Sequence, residues 1–137
     1  MADITIAAAT VGYASGSTIS DFLLAGETIL AGEAIYLKTS DDKYHLALNT
    51  DSEKATVAGI ALTAATADSK FSALISGKLT DSSAPFTEGK LYELSSTAGR
   101  IATAGDAGSG DFGTGIGVAT SASTLHVAIS ASGGQVA

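Results

Sequence analysis

The sequence contains no cysteine and no tryptophan among its 137 residues. Without cysteine the chain has no disulfide, no thiolate nucleophile and no Cys-ligated zinc, and it carries no signal of its redox compartment. Aromatic residues are also scarce, at 6% of the chain. Because sugar rings stack on aromatic faces, this scarcity disfavours a carbohydrate-binding module.

Positive charge is sparse as well, with 7 Lys and Arg against 14 Asp and Glu and a formal net charge of -7. A surface of this sign repels phosphate backbones and anionic lipids, so we expect neither nucleic acid nor a membrane as partner. No uninterrupted apolar run approaches the roughly 18 residues of a membrane-spanning helix. An acidic residue, Asp3, stands where a secretory signal is basic. These features predict a soluble protein without an export signal.

The sequence does contain an internal repeat. Residues 31–75, with AGEAIYL, VAGIAL and FSALI, are echoed by residues 88–129, with EGKLYEL, GIGVAT and LHVAI. Overlaying the two copies places Leu37 on Leu94 and Gly59 on Gly115. The offset drifts from about 57 to about 54 residues, as loops of different length in two copies of one β unit would produce. We therefore expect an N-terminal segment, 1–25, followed by a single β domain, 26–137, that holds the pseudo-repeat.

The local patterns predict an all-β fold, a small antiparallel barrel or sandwich built from two related β units, with an extended N-terminal segment. Residues 34–38 and 44–48 flank the acidic turn SDDK and have the pattern of a hairpin. Residues 57–62 are apolar on both faces, which places this strand at the centre of the sheet. The connection between the units is assigned to 78–88, which holds the only proline.

Apolar residues make up 45% of the chain, and alanine is the commonest of them. Alanine buries little area, so the larger apolar side chains must be placed efficiently. Oligomerisation is one remedy for a thin core. The composition thus favours a homo-oligomer.

Three stretches outside the repeat are open to more than one interpretation. The alternating triplet at 4–6 fits a first strand, an arm that pairs with another subunit, or a partly ordered terminus. The apolar cluster at 22–24 fits a helical turn or a packing contact between the units. The small, polar tail at 130–137 indicates a mobile end or one held by a neighbour.

The glycine-rich loop at 105–115 and the two histidines are the first candidates for a ligand site. The loop lacks the Lys and Ser/Thr of a phosphate-binding loop, and it offers calcium only two carboxylates, Asp106 and Asp111. His45 and His126 lie in alternating strands without the spacing of metal ligands, and we interpret them as solvent-facing.

Patterns typical of catalysis are also missing from the sequence. Asp41 and Asp42 are adjacent turn residues that point in different directions, unlike the carboxylate pair of a glycosidase. No G-x-S-x-G elbow occurs. We predict that the chain is not an enzyme and has no catalytic residue, no metal site and no cofactor.

Two strand motifs in the first copy carry a resemblance to a known family. The matching residues are Gly32, Ile35, Tyr36, Leu37, Gly59, Ile60, Ala61 and Leu62. A weaker second match consists of Gly89, Tyr92, Leu94, Gly115, Ile116 and Val118. Over residues 25–130 the chain resembles the capsid cement, or head decoration, proteins of tailed bacteriophages, in which these motifs recur within a compact β fold.

The resemblance implies a non-enzymatic virion structural protein that binds the outer surface of a phage capsid and stabilises it. The implied partner is the major capsid protein, and the implied form is a homotrimer at three-fold positions of the shell. Such a protein is made in the host cytoplasm and resides on the capsid exterior. A trimer that contacts several capsomers gains effective concentration from each further contact.

Contacts with the capsid or between subunits are expected mainly outside the repeated motifs. The candidate residues are Ile4, Thr5, Ile6, Tyr13, Phe86, Asp111 and Phe112. The alternative function is a receptor- or glycan-binding module of a phage fibre or adhesin, with Tyr13, Tyr44 and Phe112 as stacking faces.

Overall fold

A computed structural model describes residues 3–105 and 112–135, in which ten strands form one curled antiparallel sheet, a half-barrel. The strands are β1 (Val11–Tyr13), β2 (Thr18–Leu24), β3 (Ala34–Lys38), β4 (Lys43–Leu46), β5 (Gly59–Ala61), β6 (Lys70–Asp81), β7 (Leu91–Leu94), β8 (Ile101–Thr103), β9 (Phe112–Ser121) and β10 (Thr124–Gln135). A single turn of 3-10 helix, Ala8–Thr10, precedes β1. The all-β, antiparallel prediction is confirmed. The described residues form no helix with the length and apolar character needed to cross a bilayer.

The strand order of the sheet is the same from either end. From one end it is β4-β3-β5-β6, and from the other it is β8-β7-β9-β10. We call β3, β4, β5 and residues 70–76 of β6 the first unit, and β7 to β10 the second unit. Residues 77–80 of β6 pair with residues 124–127 of β10 and join the two units.

The predicted hairpin and central strand are both present in the first unit. β3 and β4 pair from Ile35 opposite Leu46 to Lys38 opposite Lys43. β5 lies between β3 and β6, and all three of its residues are buried. Ile60 packs into one hydrophobic cluster and Ala61 into another, so both faces of β5 are covered, as its sequence predicted.

The larger hydrophobic cluster takes side chains from both units and forms a shared core. Its buried members are Ala34, Tyr36, Ala47, Ala55, Val57, Ile60, Leu74, Leu79, Phe86, Tyr92, Leu94, Ile101, Ile116, Ala119, Leu125 and Val127. Since large side chains of each unit contact those of the other, the two units stabilise one another by burying a common apolar surface.

The smaller cluster lies on the other face of the first unit. Its buried members are Ala25, Ile29, Ile35, Ala61, Ala65, Phe71 and Ala73. Residues 25–31, which we call the strap, cover this face. Ile29 and Ala65 exchange two backbone hydrogen bonds, of 2.8 and 2.9 Å, which fasten the strap to the turn after β5.

β6 runs further than its sequence predicted. The predicted connection began at residue 78, but β6 continues through Gly77 to Asp81. It pairs with β2 over residues 70–76 and with β1 over residues 79–81. Gly77 has a φ of +116°, and a Cβ added there would lie 2.6 Å from the Cα of Ser17, so only glycine fits.

The chain ends are also more ordered than predicted. β10 extends to Gln135, which pairs with Phe112, so the backbone of the tail up to that residue is engaged by its own chain. β9 begins at Phe112, inside the stretch that was assigned to the glycine loop. Asp106 and Asp111, the calcium candidates, lie outside the described residues.

Before β1 the N-terminal segment runs beside β8 of its own chain. Asp3 forms a bridge with Ala102, and the backbone N–H of Ile4 donates to the carbonyl of Ile101 at 2.9 Å. Of the three interpretations of this segment, the structure therefore shows pairing within the chain. The contact is short, since β1 begins only at Val11.

A buried carboxylate, Asp81, fastens this segment to the end of β6. Its oxygens accept hydrogen bonds from the backbone N–H of Ala7 (2.8 Å), the hydroxyl of Thr10 and the backbone N–H of Ser83 (3.0 Å). Burial raises the pKa of Asp81, but the hydrogen bonds from Thr10, Ser83 and Ala7 outweigh burial and hold that pKa below its usual range.

Candidate functional site

Phe22 occupies the most unusual position in the described structure. Its side chain is 79% exposed, and its φ is +60°, a conformation that bulky residues rarely adopt. The cause is a bulge in β2: Ser20 pairs with Ala73 and Leu23 with Phe71, so β2 has one residue more than β6 between these pairs. The extra residue turns Phe22 away from the core.

The position of Phe22 corrects the interpretation of residues 22–24 from the sequence. These residues belong to a strand and not to a helical turn. Leu23 packs against the smaller cluster, as an apolar strand residue is expected to do, whereas Phe22 does not. Successive side chains of a strand point to opposite faces, so residues 22–24 cannot all face the core. This alternation was the feature of the sequence that could have predicted an exposed residue here.

Two adjoining clefts border Phe22. The first has a volume of about 430 Å³ and is lined by Asp21, Phe22, Thr63, Lys70, Phe71 and Ser72. The second has a volume of about 220 Å³ and is lined by Val11, Gly12, Tyr13, Ile19, Asp21, Leu62, Thr63 and Ser72. Asp21, Thr63 and Ser72 line both clefts, which together we call the groove, whereas Phe22 lines only the first and Tyr13, at 56% exposure, only the second.

Hydrogen bonds fix the polar floor that the two clefts share. The hydroxyl of Ser72 donates to the Asp21 carboxylate at 2.6 Å, and the backbone N–H of Ser72 donates to the hydroxyl of Thr63 at 3.0 Å. Beside this floor, Ile19 and Leu62 are half-buried against the shared core. The groove thus combines apolar side chains with a few oriented polar groups, which is typical of binding surfaces.

The groove follows strands that have a free side. Within residues 3–105 and 112–135, β1 and β2 each pair with β6 alone, except that Ala25, just after β2, bridges to Tyr44. We call residues 11–24 the β1–β2 edge. A strand with an unpaired side presents backbone donors and acceptors to any extended segment that approaches it.

The contact candidates from the sequence lie in different environments. Ile4 and Ile6 are half-buried against the shared core, and Thr5 between them is exposed. Phe86 is 5% exposed and stacks edge-on with Tyr92, so it has almost no surface to offer a partner.

The remaining contact candidates also differ in how exposed they are. Phe112 is half-buried against the shared core, and Asp111 lies outside the described residues. Tyr13 alone of the predicted contact residues lies at the β1–β2 edge. Of the stacking faces proposed for a glycan, Tyr13 is exposed, whereas Tyr44 packs edge-on against Phe71 at a centroid distance of 6.0 Å.

His45 is the second residue that its sequence misplaced. Its side chain is 14% exposed and lies between two carboxylates, with Nε2 2.8 Å from Asp41 and Nδ1 3.2 Å from Glu27. His45 pairs with Tyr36 and shares its face of the sheet, and two residues from before β3, Gly26 and Glu27, lie against the ring. His126 is exposed, as predicted.

The charges around His45 shift the acidity of their neighbours. The hydrogen bond from His45 is the main cause that lowers the pKa of Asp41. Burial and the nearby carboxylates Glu53 and Glu27 raise the pKa of the Tyr36 phenol. In the described part of the chain, no group of three or more His, Asp or Glu side chains is arranged to hold a metal ion.

Comparison of the sequence with models of known protein families finds no match, and comparison with curated proteins finds no relative.

Proposed function

We propose that the protein is a capsid decoration protein that binds the outer surface of a tailed-phage head through its β1–β2 edge, with Phe22 at the centre of the contact. The resemblance of residues 32–37 and 59–62 to cement proteins supports the class of function. The exposed Phe22 and its groove support the choice of surface.

The observation that carries the proposal is that Phe22 is disfavoured twice in the free protein. Its positive φ costs about 1–2 kcal/mol. Its exposure forgoes the roughly 1.5–3 kcal/mol that a fully buried Phe contributes. A partner that covers the ring recovers the second amount, and well-packed aromatic residues of this kind carry most of the energy in protein interfaces.

The groove favours an extended segment of the capsid protein as its occupant. Such a segment can pair with the free side of β1 while its side chains contact Ile19 and Leu62. A typical stable interface buries about 800 Å² on each partner, so a single strand supplies only part of it. A homotrimer, as the resemblance implies, makes three such contacts at once and gains affinity through effective concentration.

The charge of the chain is compatible with a position outside the shell. A net charge of -7 repels packaged nucleic acid. A location on the capsid exterior, after synthesis in the host cytoplasm, avoids that repulsion.

The test is co-sedimentation of the purified protein with expanded capsids of the phage that encodes it. We expect the unaltered protein to sediment with the capsids and to raise their disruption temperature. Phe22→Gly should weaken binding by about 30-fold, the effect of losing about 2 kcal/mol at a central aromatic contact. Leu91→Ala is the matched control, since Leu91 is 62% exposed but lies on the second unit.

The proposal fails if the unaltered protein neither sediments with capsids nor changes their disruption temperature. Equal weakening by Phe22→Gly and Leu91→Ala would leave the function standing but reject the β1–β2 edge. The glycan-binding alternative rests on Tyr13 and Phe22 at one exposed edge. Specific binding on a glycan array, lost in Tyr13→Ala, together with failure to sediment with capsids, would favour that alternative.

A further inference from the structure

The bulge in β2 places two residues where a regular strand has one. The residues that flank the bulge pair with Phe71 and Ala73, so a regular strand would place a single residue opposite Ser72. β2 has two residues there, Asp21 and Phe22. Only one of them can lie opposite Ser72, and the other becomes the extra residue of the bulge. The bulge can therefore form in two registers.

In the structure Asp21 lies opposite Ser72. The hydroxyl of Ser72 donates to the Asp21 carboxylate at 2.6 Å, so these two side chains share one face of the sheet. Phe22 is the extra residue, with a φ of +60° and a side chain that is 79% exposed. We call this arrangement the displayed register, because it directs Phe22 away from the core.

In the other register, which we call the closed register, Phe22 lies opposite Ser72 and Asp21 is the extra residue. The position opposite Ser72 faces the first cleft, about 430 Å³ in volume, so the ring of Phe22 would lie over that cleft. Asp tolerates a positive φ better than Phe does, and Asp42 and Asp68 of this chain adopt one. The backbone and the ring thus both favour the closed register.

A specific interaction must therefore hold the displayed register, and the hydrogen bond from Ser72 to Asp21 is suited to do so. Its length of 2.6 Å is that of a strong bond from a hydroxyl to a carboxylate. Ser72 is fixed from the other side of β6, where its backbone N–H donates to Thr63 Oγ1 at 3.0 Å and its carbonyl accepts from Leu62 at 2.8 Å. In the closed register Phe22 offers the hydroxyl no acceptor.

We propose that Asp21 and Ser72 are positioning residues, whose hydrogen bond holds the bulge of β2 in the displayed register, presents Phe22 and keeps the groove open. Loss of the bond lets the bulge shift by one residue, so that the ring closes over the groove. The consequence for binding rests on the proposed function, whereas the register is a property of the free protein.

The direct test is NMR of the free protein, read at Phe22. The cross-peak between the amide proton and Hα of the same residue is stronger at a positive φ than in an extended strand, so it reports the register. Ser72→Ala removes the donor, and the ratio of displayed to closed register should fall at least about tenfold, as expected on loss of a hydrogen bond to a charged group. An unchanged Phe22 cross-peak in Ser72→Ala would show that the proposal is wrong.

Further variants separate the hydrogen bond from a general effect on the strands. Asp21→Asn keeps an oxygen that accepts from Ser72 and should retain the displayed register, whereas Asp21→Ala should lose it. Ser76→Ala, at an exposed position of β6 that pairs with Thr18, is the matched control and should leave the Phe22 cross-peak unchanged. Loss of the displayed register in Ser76→Ala, or its retention in Asp21→Ala, would overturn the proposal.

Co-sedimentation with capsids tests the consequence for binding separately. Ser72→Ala should bind about tenfold more weakly, because apparent affinity scales with the fraction of the protein in the competent state. Ser76→Ala should bind like the unaltered protein. A changed register with unchanged binding would support the control of the register by Ser72 but reject Phe22 as the capsid contact. An unchanged register contradicts the proposal whatever the binding.

Discussion

The two units share a strand order but differ in how their outer faces are covered. In the first unit the strap covers a second hydrophobic cluster, and Ile29 at its centre is fully buried. On the corresponding face of the second unit, which we call the open face, the described residues leave several side chains exposed. Leu91 is 62% exposed there, and His126 and Ala128 on β10 are exposed as well.

Among the described residues, the second unit contributes buried side chains to only one of the two clusters, the shared core, whereas the first unit also contributes to the smaller cluster. Two small residues on the open face, Gly115 opposite Glu93 and Ala128 beside Val127, limit the apolar surface that this face presents to water. We therefore expect the most destabilising substitutions to lie in the first unit, in its strap and at the junction between the units.

The largest effect is expected at Gly77, where β6 passes from one unit to the other. Gly77→Ala should lower the free energy of unfolding by about 3 kcal/mol, because a positive φ costs about 1–2 kcal/mol and the overlap with Ser17 costs a further 1–3 kcal/mol or so. Gly89→Ala is the matched control, since Gly89 has a φ of +83° but no atom within 4 Å of an added Cβ.

Urea denaturation measures both variants. We expect Gly89→Ala to lose only about 1 kcal/mol, the cost of its φ. Equal losses at the two positions would show that the approach of Ser17 to Gly77 contributes nothing.

The next effect tests the strap itself. Ile29→Ala should cost about 3 kcal/mol in the free energy of unfolding, since it empties the middle of the smaller cluster. Leu91→Ala, on the open face of the second unit, should change stability by less than about 0.5 kcal/mol. Chemical denaturation measures both variants. If Ile29→Ala and Leu91→Ala lose similar unfolding free energy, the two faces do not differ in their contribution to stability.

Asp81 supports the junction from the N-terminal side, and its effect depends on pH. Asp81→Ala should cost about 2 kcal/mol near neutral pH, because Ala7, Thr10 and Ser83 lose their acceptor. The pKa of Asp81 is lowered on folding, so its contribution is complete above the ordinary value of 3.8 and is lost as the pH falls through the folded-state pKa.

Denaturation of Asp81→Ala and of the unaltered protein as a function of pH checks this expectation. The difference between them should be constant above pH 5 or so and should shrink in stronger acid. Glu88→Ala, at an exposed site, should follow the unaltered protein throughout. A difference that grows in acid has the wrong sign for a lowered pKa.

The smallest predicted effect is at Phe22, where the same substitution should raise stability although it weakens capsid binding. Phe22→Gly should raise the free energy of unfolding by about 0.5 kcal/mol, because relief of about 1–2 kcal/mol of φ strain exceeds the roughly 0.5–1 kcal/mol entropy cost of glycine. Thr18→Gly, exposed in the same strand, should instead destabilise. Thermal unfolding of the two variants shows the sign, and a loss of stability in Phe22→Gly would mean that its φ is not strained.

The sequence predicted the local elements well and the distant contacts poorly. The hairpin of β3 and β4 and the central position of β5 follow from alternation and turn residues within a few positions. The pairing of β1 and β2 with β6 joins residues about 50 to 70 positions apart, and no local pattern encodes it. The same holds for His45, whose ring lies against Gly26 and Glu27 from before β3.

The overlay of the two copies from the sequence was out of register by one residue between β3 and β7. It placed Leu37 on Leu94, but Leu37 is 38% exposed and Leu94 is buried. Gly59 pairs with Ile35, and its counterpart Gly115 pairs with Glu93, which makes Tyr36 the counterpart of Leu94. A shift of one residue exchanges the two faces of a strand, so glycine matches alone did not fix the register.

The most direct test of the proposed function is the position of this chain on an intact particle, determined by cryo-electron microscopy of decorated capsids. We expect the β1–β2 edge to face the shell, with Phe22 covered by capsid protein and an extended capsid segment beside β1. A decorated particle in which Phe22 and Tyr13 face solvent, or in which the chain is absent from the capsid exterior, would contradict the account.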